Sequence, residues 1–168
     1  MEELISRRGN YKRLLSYQKA DVIYCLTYYF VERYIRYNDR TKDQMLQAAR
    51  SGKQNIIEGC AASVTSAKTE IRLVNVAKAS LQELLEDYED YLKTRGHRQW
   101  EERSVEWEAM RNLGRVHNDA AFFYESCSNS PARNHRQHVH CAHQASRFFT
   151  VQAAQALGEG LSRSWRFQ

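Results

Sequence analysis

The stretch EIRLVNVAKASLQELLEDYEDYL, residues 70–92, decides the fold class of this chain. Its apolar side chains recur at heptad-like spacing over about six turns, at Ile71, Val74, Leu81, Leu85, Tyr88 and Leu92. Such spacing places one apolar stripe along a helix and leaves the other faces polar. Basic residues follow it, and then Gly96, a residue type that commonly ends helices. We therefore predict a long amphipathic helix over residues 66–95.

The sequence carries apolar stripes of the same kind both before and after this predicted helix. We predict further core helices over residues 10–37, 41–59 and 131–157. The residues expected to face the core are Leu15, Val22, Leu26, Phe30 and Tyr34 in the first helix, Met45, Leu46, Ala49, Ile56 and Ile57 in the second, and Ala142, Ala145, Phe149, Ala153 and Ala156 in the last. Residues 97–128 have a patchy helical pattern and are predicted to form a helical insertion. Residues 158–168 are predicted to be a frayed tail.

The composition also favours helices. The 168 residues contain one proline and seven glycines, too few turn residues for a protein of strands and hairpins. We expect an all-α fold in one domain over residues 1–168. The chain has no run of 18 apolar residues and its first 30 residues show no leader pattern, so we expect a cytoplasmic protein that does not contact membranes. The four cysteines are scattered without a CxxC pair and are expected to be reduced thiols.

Charge is distributed unevenly along the chain, whose net charge is +5. Residues 7–53 contain eleven basic and four acidic residues, whereas residues 82–91 contain five acidic residues and no basic one. A basic half can attract a polyanion through the release of counterions. The alternative is an ordinary solvated helix surface whose cations pair with the acidic run.

Basic and aromatic residues are interleaved where the first predicted helix ends. If the first two helices are antiparallel, one end of the molecule carries Arg33, Arg36, Arg40 and Lys42, with Arg50 and Lys53 further along. Phosphates need such cations, and tyrosine rings can stack on unpaired bases. These six residues are the predicted contacts to RNA phosphates or to an acidic partner.

Motifs for catalysis are lacking in the sequence. It contains no GxSxG, no phosphate-binding loop and no GxGxxG, and Cys60 has no histidine close in sequence. The segment NHRQHVHCAH, residues 134–143, is rich in possible metal ligands, but no histidine pair in it has the spacing of HExxH sites. We therefore expect no enzyme, no cofactor and no metal. A metal-dependent protein that uses His135, His138 and Cys141 remains an alternative.

The stretch DQMLQAARSGKQNIIEG, residues 43–59, combines a helical pattern with small residues. Ala48, Ala49, Ser51 and Gly52 would let a neighbouring backbone come close. Polar groups at Asn55 and Glu58 would then be buried or interfacial and would need partners. We interpret this stretch, which ends at Gly59, as architectural: it shapes helix packing and a seam between subunits.

Three segments together resemble a known family: SYQKA at residues 16–20, QMLQAARSGKQNIIEG at 44–59, and the stretch at 70–92. The resemblance is to the four-helix-bundle family of proteins encoded within bacterial 23S rRNA intervening sequences. That family also includes the accessory variability protein of diversity-generating retroelements. The matching residues of the second segment are Ala48, Ala49, Ser51, Asn55, Ile56, Glu58 and Gly59. The chain departs from the pattern at Gly52 and Lys53, where many members carry isoleucine and proline.

The resemblance implies an up-down-up-down four-helix bundle that assembles into a homopentameric ring with a basic surface. Residues 97–128 would be inserted before the fourth helix, as in the subgroup with a C-terminal suffix. It further implies a non-catalytic accessory protein that binds RNA, or an RNA/DNA hybrid, and a reverse transcriptase. The alternative function is a protein-interaction scaffold that does not contact nucleic acid directly.

Overall fold

The computed structural model of the protein describes residues 10–97, 101–129 and 135–164, and these contain no β-strand. For residues 127–129, 135–141, 144 and 159–164 only the backbone is described. A short 3-10 turn, Tyr11–Arg13, precedes the helices, which are α1 (Leu15–Tyr34), α2 (Thr41–Ala62), α3 (Ala67–Thr94), α4 (Val105–Val116), α5 (Ala120–Asn129) and α6 (His135–Ser164). The prediction of an all-α fold is confirmed for these residues.

The first helix is shorter than the predicted range 10–37. The chain is extended at Leu14 and again at Ile35, with ψ angles of 126° and 135°, so α1 is confined between them. Ile35 is buried, and leaving the helical path lets it point into the core. Leu15 was expected in the apolar stripe but is 44% exposed, because it occupies the open first turn of the helix.

A side-chain cap and a glycine define the two ends of α3. Ser66 Oγ accepts a hydrogen bond of 3.3 Å from the backbone N–H of Thr69 and so begins α3. Gly96, with φ of +66°, follows the end of α3, and the N–H of His97 returns to the carbonyl of Leu92 at 2.9 Å. The predicted range 66–95 therefore agrees with α3 to within a residue at each end.

The second helix continues past its predicted end at Gly59 to Ala62. Gly59 does not break it, because it is buried against α3: a Cβ there would lie 3.6 Å from both Leu73 and Val74, an ordinary van der Waals distance. The turn comes later, where Ser63 Oγ donates to the carbonyl of Cys60 at 2.8 Å.

Helices α2 and α3 run antiparallel and come closest at Gly52. A Cβ on Gly52 would lie 2.6 Å from Leu81 Cδ2 and 2.8 Å from Leu81 Cγ, which is inside van der Waals contact. Beside this contact, Ser51 Oγ and Ser80 Oγ share a hydrogen bond of 2.9 Å across the two helices. A residue with a side chain at position 52 would therefore require Leu81 to shift.

Aromatic rings from three helices fill the main core. Phe30 of α1 lies 4.8 Å from Tyr88 and 4.9 Å from Tyr91 of α3, measured between ring centroids. Phe149 of α6 is fully buried in the same cluster. The Tyr88 hydroxyl donates to Thr27 Oγ1 at 3.1 Å, and Thr27 Oγ1 donates to the carbonyl of Ile23 at 2.8 Å. The buried hydroxyls thus have partners in α1.

The last helix is longer than predicted at its C-terminal end. Residues 158–164 were expected in a frayed tail but continue α6 to Ser164, and residues 165–168 lie outside the described ranges. Leu157 explains the extension, because it is buried in a second cluster with Ile56 and Val74. This packing outweighs the low helix propensity of the glycines that follow. The predicted start at 131 lies in the undescribed residues 130–134.

Helices α4 and α5 fold onto the long helices. They show that the described part of the segment predicted as an insertion is helical. Phe123 of α5 is buried against Phe149, with ring centroids 4.9 Å apart. Gly114 of α4 lies so close to Phe148 of α6 that an added Cβ would overlap the ring.

A buried lysine joins this insertion to α1. Lys19 is only 2% exposed, and its amine donates a hydrogen bond to the carbonyl of Gly114. The amine also lies 4.8 Å from the ring centroid of Phe149. Among the described residues no carboxylate forms an ion pair with Lys19. Burial therefore lowers the pKa of Lys19 from its usual 10.5.

Replacing Gly52 with alanine tests the close approach of α2 and α3. The added Cβ would displace the buried Leu81 at a cost of about 1 to 3 kcal/mol, which is partly offset by a gain of up to about 1 kcal/mol in helix propensity. We therefore expect Gly52→Ala to lower the free energy of unfolding by about 1 to 2 kcal/mol. Gly158→Ala is the matched control, since its Cβ would meet nothing nearer than Lys78 Nζ at 3.9 Å. That control should be neutral or stabilising by up to about 1 kcal/mol. Urea denaturation measures both, and equal effects would contradict the packing argument.

Replacing Lys19 with methionine tests the buried amine. Because folding lowers the pKa of Lys19, the unfolded chain binds more protons in the window just below 10.5, so this residue makes stability rise with pH there. We expect the difference in unfolding free energy, wild type minus Lys19→Met, to increase between about pH 8 and about pH 10. Denaturant titrations at both values measure it. Parallel pH profiles for the two proteins would contradict the prediction.

Candidate nucleic-acid interface

Three chain segments meet at one end of the molecule: the end of α1, residues 35–40, and the end of α3. Asp39 marks this meeting point. Its Oδ1 accepts a hydrogen bond of 3.0 Å from the N–H of Thr41, and this bond lowers the pKa of the Asp39 carboxyl, with smaller contributions from Arg95 and Arg36. Arg36 and Arg95 are distant in the sequence, but both therefore lie near the Asp39 carboxyl.

Three of the predicted contact residues are exposed at this end, namely Arg33, Arg36 and Arg40. Between them in the sequence, Tyr37 is 95% exposed, and the Lys42 amine lies 5.7 Å from its ring centroid. The Arg33 guanidinium carbon lies 5.9 Å from the ring centroid of Tyr29. Exposed guanidinium groups beside an exposed ring provide the two contacts that unpaired nucleotides need, one for phosphate and one for the base.

The two predicted lysines are held in ion pairs within the chain. Lys42 Nζ lies 2.8 Å from Glu32 Oε1, and this hydrogen bond raises the pKa of the Lys42 amine. Lys53 Nζ lies 3.1 Å from Asp21 Oδ1 and 4.1 Å from the ring centroid of Tyr24. Both pairs join α1 to α2. Their charge is locally compensated, so these lysines attract a polyanion less than the sequence suggests.

Arg50 is exposed on α2 but stands apart from the other arginines. It lies eight residues beyond Lys42 on the same helix, a rise of about 12 Å. It could contact the same nucleic acid only if the ligand extended along α2. The structure therefore divides the six predicted residues into an exposed group at the end, two paired lysines and an isolated arginine.

Arg95 belongs to the exposed group, although the sequence did not single it out as a contact residue. Its guanidinium carbon lies 4.6 Å from the ring centroid of Tyr91, whose hydroxyl donates to the carbonyl of Tyr34 at 3.3 Å. Because α1 and α3 are parallel, their C-terminal ends meet. That relation was the signal that could have placed Arg95 beside Arg36. We call Arg33, Arg36, Arg40 and Arg95, with Tyr37, the arginine end.

The small-residue stretch of α2 has no phosphate-binding geometry. Ala48 and Ala49 are buried, and Asn55 Nδ2 donates to Ser51, at 2.8 Å to its carbonyl and 3.2 Å to its hydroxyl. A surface cavity of about 470 Å³ opens beside Ser51 and Ser80, but the carboxylates of Asp43 and Glu83 line it and would repel an anion. Glu58 is exposed, so it is not buried by the described residues of its own chain.

Buried thiols lie away from this end. Burial, and to a smaller degree the carboxylate of Glu70, raises the pKa of the Cys60 thiol. Burial likewise raises the pKa of Cys25. Both shifts favour the thiol over the nucleophilic thiolate. No group of three metal-binding side chains occurs in the described part of the chain, and the side chains of His135, His138 and Cys141 lie outside it.

The length and hydropathy of the helices decide whether any of them could cross a membrane. Within the described ranges, none of the helices combines the length and the apolar character needed to cross a lipid bilayer.

Comparisons with known proteins do not identify a family or a function for this chain. The chain matches no protein-family model, no curated protein and no solved structure.

Proposed function

We propose that the protein is a non-catalytic accessory protein that binds RNA through the arginine end. The observation that carries the proposal is that the exposed side chains of Arg36 and Arg95, distant in the sequence, both lie near the Asp39 carboxyl, in a loop that also exposes Tyr37 and Arg40. Arginine is suited to phosphate because its planar group donates two parallel hydrogen bonds. An exposed tyrosine among arginines adds a stacking surface, so the ligand is RNA with unpaired bases, or a hybrid with a single-stranded part.

The assembly we propose is an up-down-up-down four-helix bundle of α1, α2, α3 and α6 that forms a homopentameric ring. The antiparallel contact of α2 with α3, and the packing of α6 between α1 and α3, support this arrangement. Exposed apolar side chains on outer faces, including Tyr28 of α1 and Val76 of α3, are available for subunit contacts. In a ring, several copies of the arginine end would act on one RNA and strengthen binding.

A reverse transcriptase is the proposed protein partner. The support is the resemblance of residues 16–20, 44–59 and 70–92 to the retroelement accessory proteins. In this role the protein would hold structured RNA for the polymerase, which carries out the chemistry.

Charge reversal at the arginine end tests RNA binding. In Arg36→Glu/Arg95→Glu, loss of two phosphate contacts should weaken binding of a single-stranded oligoribonucleotide by at least about tenfold and reduce the slope of log K against log salt by about 1 to 2. Filter binding over a series of salt concentrations measures both quantities.

The control for this test is Lys68→Glu/Arg72→Glu, which changes the net charge equally at exposed positions near the start of α3. It should leave affinity within about twofold, since those residues lie at the other end of the helix. Equal losses in the two variants would reduce the effect to net charge and contradict a defined interface. If the wild type binds no RNA at low salt and purifies free of nucleic acid, the scaffold alternative replaces the proposal.

Native mass spectrometry tests the ring. We expect a homopentamer, and we expect Glu58→Arg to raise the dissociation constant by at least about tenfold, because it reverses an exposed charge in the predicted seam. Glu125→Arg in α5 makes the same change at an exposed position outside that stretch and should leave the mass unchanged. A monomer at all concentrations would contradict the assembly.

A further inference from the structure

A cleft of about 270 Å³ separates α4 from α6, away from the arginine end. Its walls are formed by Trp107, Met110 and Arg111 of α4 and by Arg147 and Phe148 of α6, with Glu102 at the entrance. It therefore combines two guanidinium groups with apolar side chains. The volume suits one or two amino-acid side chains rather than a large cofactor.

The guanidinium group of Arg111 is positioned so that it could bind an anion. Its guanidinium carbon lies 4.3 Å from the ring centroid of Trp107 and 5.9 Å from that of Phe148. Stacking on a ring uses the face of the guanidinium group and leaves the N–H donors at its edge available. No ion pair joins Arg111 to a carboxylate of the described residues. The charge is thus oriented but not compensated.

Arg147 already holds a carboxylate loosely. Its Nη2 atom lies 3.5 Å from Glu102 Oε1, and the Glu102 side chain is 71% exposed. An exposed pair at this distance contributes little stability and is easily displaced. Glu102, in the turn before α4, therefore lines part of the cleft and would compete with an incoming carboxylate for Arg147.

We propose that this cleft binds a peptide segment in which a carboxylate side chain stands next to an apolar one. Arg111 and Arg147 bind the carboxylate, and the apolar side chain packs on Met110, Phe148 and the half-exposed Val151. Gln152 and Gln155, which also line the cleft, supply amides that can bond to the peptide backbone.

Charge around the entrance favours a peptide over RNA. Glu106 and Glu108 lie exposed in the first turn of α4, and Glu101 precedes them. These carboxylates repel a continuous strand of phosphates. A single carboxylate is instead held at short range by directed hydrogen bonds from Arg111 and Arg147.

The test uses a fluorescein-labelled peptide that carries one glutamate next to a leucine in an otherwise uncharged sequence, and the matched peptide has glutamine in place of that glutamate. Fluorescence anisotropy on the full chain should show saturable binding of the first peptide only. Glu102→Gln should tighten binding by about threefold or more, because it removes the competitor for Arg147. Arg111→Gln should weaken binding by at least about tenfold. Arg115→Gln, at an exposed position one turn further along α4, should change nothing.

The sign of the Glu102→Gln effect decides the matter, because that substitution is at the surface and leaves the fold intact. Weaker peptide binding in Glu102→Gln, or no binding to either wild type or Glu102→Gln, overturns the proposal. It is also overturned if an oligouridylate binds with an affinity that falls on Arg111→Gln, since the cleft would then belong to nucleic acid. None of these outcomes depends on RNA binding at the arginine end.

Discussion

The contact of Gly52 with Leu81 is the constraint on which the arrangement of the helices depends. It brings α2 against α3 more closely than any side chain at position 52 would allow. The hydrogen bond between Ser51 and Ser80 lies beside it and orients the two helices. With α2 placed there, its other edge lies along α1, where Lys42 and Lys53 meet Glu32 and Asp21. The arginine end follows from the same placement, because it joins the C-terminal ends of α1 and α3.

Several cationic side chains of this protein occur in two arrangements, either paired with carboxylates or stacked on aromatic rings. Along the line between α1 and α2 the lysines are compensated by carboxylates. Arg95 at the arginine end and Arg111 in the α4–α6 cleft instead lie against aromatic rings, while Arg147 of the cleft is loosely paired with Glu102. The difference follows residue type: the lysines form point-charge pairs, and Arg95 and Arg111 are held by stacking on rings that do not neutralise them. The two proposed sites therefore differ in character: the arginine end would suit a polyanion, and the cleft would suit a single carboxylate.

Local sequence patterns were sufficient for α3, whose stripe, cap and terminal glycine all agree. They were insufficient where distant residues decide the outcome. From the sequence, Lys19 resembles the many basic residues of the surface. In the structure it is buried, and its amine donates a hydrogen bond to the carbonyl of Gly114, which is 95 residues away. The pairing of Lys42 and Lys53 depends on how α1 and α2 are aligned, which no spacing within one helix encodes. Leu157 likewise extends α6 through contacts with α2 and α3.

The buried bond from the Tyr88 hydroxyl to Thr27 also restricts how the helices can slide. Aliphatic and aromatic surfaces tolerate an axial shift of one turn, about 5.4 Å, because a similar surface meets them there. The hydroxyls do not, since such a shift would leave polar groups in hydrocarbon at a cost of about 1 to 3 kcal/mol each. Together with the bond from the Tyr91 hydroxyl to the carbonyl of Tyr34, this hydrogen bond selects one longitudinal alignment of α3 relative to α1, and with it the level at which the two C-terminal ends coincide.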